Sequence, residues 1–248
     1  MNSTTENSTT ELYKTAVEIV RHIVDNGYAA FFAGGCVRDK IMGNSPSDYD
    51  IATNAKPEQI MKMFARTIPI GVSFGVVSVI VNKFQFEVAT FRSDGIYSDS
   101  RHPDSISFCD NEIGDVSRRD FTINGMLFDP LNNKLLDYVG GESDIKSRQI
   151  RTIGNPQERF REDSLRMIRG ARFAARFLYE IEYNTKLAIK DLAKNILTVS
   201  AERIRQEFEK GLTGQNPHTF IKIMDDLNLL DNTMPEVCLM KGVEQPEN

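Results

Sequence analysis

GGCVRDKIMGNSPSDYDIAT, residues 34–53, carries a glycine pair, a short helical pattern and an Asp-x-Asp pair in one stretch. AAFFAGG (29–35) reads as a short apolar strand running into Gly34 and Gly35. Val37 to Met42 then resembles the first turns of a helix, closed by Gly43. Backbone N–H groups in such a strand-to-helix turn can hold phosphate oxygens, and Arg38 can supplement them. A plain tight turn would use the same glycines. SDYDIAT (47–53) alternates, which puts Asp48 and Asp50 on one strand face, about 7 Å apart along the chain given the strand rise. Two ionised carboxylates that close repel each other. A divalent cation between them removes that cost with hard oxygen ligands. Pairs of such ions catalyse in-line phosphoryl transfer. By itself Asp-x-Asp also suits a solvated acid pair in a turn.

Working outward, residues 11–26 show helical spacing in Leu12, Ala16, Ile19, Val20 and Ile23, and Asn26-Gly27 ends the run. Residues 57–65 read as a short helix with Pro57 near its start. VVSVIV (76–81) and FQFEVATF (84–91) are two strands joined at Asn82-Lys83. On the second, Gln85, Glu87, Ala89 and Phe91 share one face, opposite Phe84, Phe86, Val88 and Thr90. Glu87 is therefore a candidate third carboxylate beside Asp48 and Asp50, or an acid on a solvated strand face. Residues 92–112 are polar and aperiodic and read as a long loop. FTINGMLFD (121–129) is strand-like. From about Glu158 the pattern turns helical, with further helices at 185–197, 200–212 and 217–230. The layout is an α+β head followed by an all-helical segment. The expected divisions are a disordered tail (1–10), a catalytic head (11–154), a helical neck (155–215) and the start of a helical body (216–248).

The composition suits a soluble domain: 248 residues, 40% hydrophobic and 26% charged. No run of 18 apolar residues marks a membrane span. The polar start MNSTTENSTT lacks the apolar core of a secretory signal. Cys36, Cys109 and Cys238 form neither a CxxC pair nor a disulfide framework, so reduced thiols and a cytoplasmic location are expected. The scattered His22, His102 and His218 make a histidine zinc site improbable. Net charge is −5, yet six arginines and only two acids, Glu162 and Asp163, lie between Arg159 and Arg176. Arg166, Arg169, Arg172 and Arg176, spaced three, three and four apart, project from one side of a helix. A salt-bridged face is the usual reading of such a run. With so few local acids, a triphosphate or an RNA backbone is the expected partner.

The glycine pair with Arg38, Asp39, Asp48 and Asp50 resembles the signature of the nucleotidyltransferase branch that holds class II (bacterial-type) CCA-adding enzymes and poly(A) polymerases. Four more segments follow in order. FRSDGIYSDSRHP (91–103) resembles the family's flexible loop in Arg92, Asp94, Tyr97 and Arg101. VSRRDFTING (116–125) resembles its second motif. There Arg118 and Arg119 are expected to bind triphosphate or ribose, and Asp120 and Asn124 to orient them or bond ribose hydroxyls. Glu162, Asp163 and Arg166 match the nucleotide-selecting EDxxR motif, and ERIRQEFEKGL (202–212) a further, structural helix. The resemblance implies that Arg169 and Arg172 reach the phosphates.

That resemblance implies a small mixed sheet with helices behind it, then a helical neck and body. It also implies attack of an RNA 3′ hydroxyl on the α-phosphate of CTP or ATP, with Asp48 and Asp50 holding two Mg²⁺ ions. The expected partner is the tRNA 3′ end. The flexible loop favours CCA or A addition. CC-only or A-only addition, poly(A) synthesis and an inactive RNA- or nucleotide-binding module stand as alternatives. Relatives usually continue well beyond KGVEQPEN (241–248), so a further body segment or a second chain is expected to complete the grip on RNA.

Overall fold

The structure, a computed structural model, describes residues 2–95 and 106–243. The chain divides into two compact units, with Ser147 opening the second. That division falls earlier than the expected 154/155. The reason is a short parallel pair, in which Gln149–Ile150 joins Glu180–Ile181 and so ties this stretch to the helices.

In the first unit, α1 (Asn2–Asp25) precedes β1 (Ala30–Ala33). Residues 1–10, expected as a disordered tail, are helical backbone from Asn2 onward. Ala16, Ile19, Val20 and Ile23 are buried as the apolar spacing predicts. Then come α2 (Gly35–Ile41), β2 (Asp50–Thr53), α3 (Pro57–Met63), β3 (Thr67–Gly71), β4 (Val76–Val81) and β5 (Phe84–Thr90). The β4–β5 hairpin turns at Asn82, which takes the left-handed conformation (φ 55°) such turns require.

The expected loop at 92–112 is partly ordered. In it β6 (Arg92–Asp94) pairs antiparallel with β7 (Ile106–Phe108), and α4 (Glu112–Ser117) starts at Asn111, whose side chain accepts from the Gly114 N–H. Only part of FTINGMLFD is strand: residues 122–124 form a 3-10 turn before β8 (Leu127–Asp129). The whole of 121–128 is buried, so its apolar run had no period to distinguish turn from strand. A hairpin to β9 (Lys134–Leu136) and the short α5 (Gly141–Lys146) end the unit.

The sheet has seven strands in the order β3-β4-β5-β2-β1-β8-β9. Only β2 and β5 pair parallel, so the expected small mixed sheet is present. One face buries Ile51, Val77, Val79, Phe86 and Val88; the other gathers Ala33, Ala52, Phe91, Val116 and Leu127.

The second unit holds β10 (Gln149–Ile150), α6 (Pro156–Glu162), α7 (Leu165–Phe177), β11 (Glu180–Ile181), α8 (Tyr183–Leu192), α9 (Ala201–Leu212), α10 (Pro217–Asp226), α11 (Leu229–Thr233) and α12 (Pro235–Cys238). The helix expected at 217–230 breaks at Asn228, which is left-handed (φ 59°). One core joins Phe160, Ile168 and Phe208 to Phe220, Met224 and Leu230. The expected neck (155–215) and body (216–248) thus share a single hydrophobic core, because α10 packs on α7 and α9.

Gly141 shows how closely the first unit is packed. A Cβ there would lie 2.3 Å from the Thr122 carbonyl oxygen and 2.8 Å from Met126 Cγ. Gly141→Ala is expected to destabilise the protein by about 1–3 kcal/mol or more, since backbone must shift to admit the methyl. A urea unfolding midpoint equal to that of the wild type would contradict this packing.

Candidate active site

Asp50 opens β2 and pairs with Ala33, the last residue of β1. Beyond that pair β1 turns away at Gly34, so the ladder stops. Asp48 therefore lies just outside the strand, where the alternation of 47–53 had placed it inside. The outcome for the side chains is nevertheless the expected one. Tyr49 is buried, packing on Phe32 (ring centroids 4.9 Å) and Tyr13 (5.7 Å), and this anchor leaves Asp48 and Asp50 on the solvent side.

Glu87 joins them through the parallel pairing. Ile51 is in register with Val88, so Asp50 lies beside Glu87 one position earlier. The Asp50 carboxyl is raised from the usual 3.8 to about 6. Desolvation comes first, then the charges of Asp48 and Glu87, while Arg119 acts in the opposite direction. Solvent still reaches Asp50, but enough protein surrounds the carboxyl to penalise its charge. Crowded, half-desolvated oxygen donors of this kind suit hard divalent ions such as Mg²⁺.

Arg119 is fixed over this cluster by a residue that the sequence motifs do not single out. Asp115 on α4 is 1% exposed and accepts from both arginines of the RRD segment. Arg118 donates from Nε (2.9 Å) and Nη2 (2.6 Å) to Oδ1; Arg119 donates from Nε (3.2 Å) and Nη2 (2.8 Å) to Oδ2. The spacing i to i+3 and i+4 on a helix was the available signal. The pairing holds Asp115 below the usual carboxylate range: desolvation would raise it, and the two guanidinium charges outweigh that. Gly34 makes room for this arrangement. Its φ is 73°, and a Cβ would lie 3.2 Å from Arg119 Nη1 and 3.9 Å from Asp50 Oδ2. Its own N–H donates to the Met126 carbonyl (3.4 Å).

Arg38 is held in the interior of the first unit. It is 4% exposed, bonds Asp39 at 2.8 Å through Nε, and donates from Nη1 to Asn124 Oδ1 at 2.6 Å. Asn124 Nδ2 reaches Asp120 Oδ1 (3.4 Å), which also accepts from the Phe121 N–H (2.8 Å). This buried chain locks α2, beginning at Gly35, to the RRDFTING segment. The same bonds orient the Arg38 guanidinium beside Gly35, where a Cβ would lie 3.5 Å from Nη2.

In the second unit the helical pattern expected from about Glu158 is broken. Asp163 ends α6 in an extended conformation (φ −147°), and α7 starts at Leu165. Arg166 donates to Glu162 (2.7 Å), and Arg203 from α9 pairs with Asp163 (2.8 Å). Glu207, 3% exposed on α9, accepts from Arg172 Nε (2.6 Å) and lies 3.8 Å from Arg169. The arginine face thus has an acid supplied from another helix, which local composition could not reveal. Of the flexible-loop residues, Arg92 and Asp94 lie on β6, and Arg92 Nη1 donates to the Phe74 carbonyl (2.6 Å). Tyr97 and Arg101 lie outside the described residues.

Two outcomes follow from the charges. Because the folded state raises Asp50, its proton is held more tightly in the native than in the unfolded chain, and stability falls as pH rises from about 4 through 6. At pH 7.5 without divalent ions, Asp50→Asn is expected to stabilise by at most about 1 kcal/mol, since the carboxyl reaches solvent, or about 2–4 °C in Tm. Mg²⁺ should raise the Tm of the wild type and not of this variant; equal responses would remove Asp50 from the ion site. Asp115→Asn is expected to cost about 2–3 kcal/mol, less than a fully buried pair because both arginines touch solvent. A urea unfolding midpoint equal to that of the wild type would remove this clamp from the contacts that stabilise the fold.

Residues 30–151 match the family model described as the poly A polymerase head domain. Residues 179–240 match the one described as the probable RNA and SrmB-binding site of polymerase A. The chain is 42% identical over 204 residues to a CCA-adding enzyme of Enterococcus faecalis, covering 82% of this chain and 50% of the relative. It is also 42% identical over 205 residues to a CCA-adding enzyme of Staphylococcus aureus, covering 83% and 51%. Among solved structures, the Bacillus stearothermophilus CCA-adding enzyme in complex with CTP superposes with a TM-score of 0.82 at 35% identity, covering 88% of this chain and 52% of that one. The chain therefore spans about half the length of the curated relatives it matches. No helix among the described residues is long and apolar enough to cross a membrane. With a head and a helical segment matched in order along one chain, this protein belongs to the nucleotidyltransferase family of poly(A) polymerases and bacterial-type CCA-adding enzymes.

Proposed function

We propose that the chain adds C and A from CTP and ATP to the 3′ end of tRNA without a template. The observation that carries this is the cluster of Asp48, Asp50 and Glu87 with Arg119 held across Gly34. It sits in a chain 42% identical to CCA-adding relatives. Asp48 and Asp50, with Glu87 beside them, are the residues that would hold two Mg²⁺ ions. Bound there, such ions lower the pKa of an attacking hydroxyl and neutralise a leaving pyrophosphate.

The remaining work falls to side chains of the protein. Arg118 and Arg119, pre-set by Asp115, present fixed guanidinium edges to triphosphate oxygens. Asp163 and Arg166 read the base. Cytosine and adenine each show an amino donor beside a ring-nitrogen acceptor, matching a carboxylate and a guanidinium. Uracil and guanine reverse that order and leave like groups facing each other, which rejects them. In this structure Arg203 and Glu162 occupy those two side chains, so a base exchanges one set of charge-assisted bonds for another. Asp120 and Asn124 hold the arginine segment in place, and Arg169 and Arg172 offer further charge to phosphates. Free thiols and an RNA substrate fit a reducing cytoplasm.

The test is incubation with Mg²⁺, a tRNA lacking its 3′ CCA and each labelled nucleotide. Ordered incorporation of C, C and A that then stops is expected, and Asp48→Ala should slow it at least about 100-fold, as loss of a key electrostatic group does. A single A, CC alone or an unbounded A tail would move the assignment to a neighbouring activity. Nucleotide binding without any incorporation would favour a binding module.

A further inference from the structure

β4 is an apolar strand, VVSVIV, with a single polar residue, Ser78. Ser78 is 0% exposed, and its hydroxyl has no hydrogen-bond partner among the described residues. Burying a hydroxyl without a partner is costly, and alanine or valine in the same place would avoid the cost. An orphan of this kind in a packed strand calls for an explanation in what the protein does.

The strand register shows which group stands nearest. The cross-strand partners of Ser78 are Ile68 on β3 and Glu87 on β5, and such partners share a face of the sheet. Glu87 in turn stands beside Asp50 on β2, because Ile51 is in register with Val88. Ile68, Ser78, Glu87 and Asp50 thus form one row across four neighbouring strands, on the face that bears the carboxylate cluster. Strands lie about 4.7–4.9 Å apart, so Ser78 is one strand from Glu87 and two from Asp50. The Ile68 side chain has no polar atom, and Gln85 stands diagonally, opposite Ile80. Glu87 is therefore the acceptor directly across from the orphan hydroxyl. Its side chain is exposed, so it turns between rotamers at little cost in packing.

We propose that Ser78 is a positioning residue for Glu87. This inference rests on the reading that Asp48, Asp50 and Glu87 hold divalent ions. Glu87 stands in the middle of the row with two carboxylate oxygens. When one oxygen turns to an ion shared with Asp50, the other is left on the Ser78 side and accepts its hydroxyl. That bond is charge-assisted, so it holds the carboxylate more firmly than a neutral one. Hydrogen-bonded partners of this kind orient carboxylates that bind metals. Without the ion, Glu87 faces water, which offers it equivalent bonds, and Ser78 stays unpaired. The hydroxyl thus adds nothing to the stability of the unliganded fold and acts on the loaded site.

The experiment uses the full chain with Mn²⁺ as the probe. Free Mn²⁺ is read by electron paramagnetic resonance at pH 7.5, and melting curves are recorded without divalent ions. Ser78→Ala is expected to weaken Mn²⁺ binding about tenfold. Its melting temperature without ions should not fall below that of the wild type, since no bond is lost there. Ser78→Thr keeps a hydroxyl and should bind Mn²⁺ as the wild type does. In a Glu87→Ala background, Ser78→Ala should have no further effect, because the partner carboxylate is gone. Equal Mn²⁺ affinity in the wild type and Ser78→Ala would overturn the proposal. So would a loss that persists in the Glu87→Ala background, or an equal loss in Ser78→Thr. A Ser78→Ala chain that melts earlier without ions would assign the hydroxyl to the fold instead. Asp50→Asn separates this inference from the reading beneath it. If Asp50→Asn abolishes Mn²⁺ binding while Ser78→Ala leaves it intact, Ser78 alone is ruled out. If the wild type binds no Mn²⁺, or Asp50→Asn binds it equally well, the carboxylate ion site falls and this inference falls with it.

Discussion

Asp50 sits where β2 meets β5 in parallel register, and the negative charges of Asp48 and Glu87 bear on it from two sides. Burial alone already opposes ionisation there. A carboxyl in that position must either keep its proton at mildly acid pH or be offset by positive charge. Arg119 supplies part of the offset, and it can do so only because Gly34 has no side chain to fill the space between them. A divalent ion would supply the rest. The head's local features, from the glycine turn to the α4 clamp, can be understood as conditions for holding these groups together.

Asp115 and the Arg38–Asn124–Asp120 chain carry the same logic into the interior. A buried carboxylate with two guanidinium partners fixes both arginines in orientation, which a flexible surface pair would not achieve. A buried arginine bonded to an amide ties the helix after Gly34 to the segment that bears those arginines. Pre-set donors lose less freedom on meeting a phosphate. The same economy appears in the second unit, where Glu207 gathers Arg172 and Lys210, and Arg203 holds Asp163.

Much of the head was legible in residue order. The apolar stripe of α1, the β4–β5 hairpin at Asn82 and the strand running into Gly34 all follow from period and turn chemistry. Glu87 was legible as a face assignment, because alternation separates it from Phe86 and Val88. Boundaries were less so. The strand at 47–53 shortens to Asp50–Thr53 because its partner β1 ends, and the turn in FTING is hidden in the sequence because burial on every side removes periodicity. The helical pattern that starts near Glu158 breaks at Asp163, a residue whose side chain bonds locally to the Leu165 N–H (3.1 Å).

The sequence by itself determined the family, the carboxylate pair and the arginine-rich segment, since these lie in contiguous stretches whose chemistry depends on spacing along one strand or helix. Only the tertiary structure decided which partner orients each arginine. Asp115 captures Arg118 and Arg119, Asn124 captures Arg38, and Glu207 captures Arg172. The last two partners lie 86 and 35 residues away along the chain. Ion pairing acts over a few ångströms in space, and separation in sequence carries almost no information about it until the chain has folded.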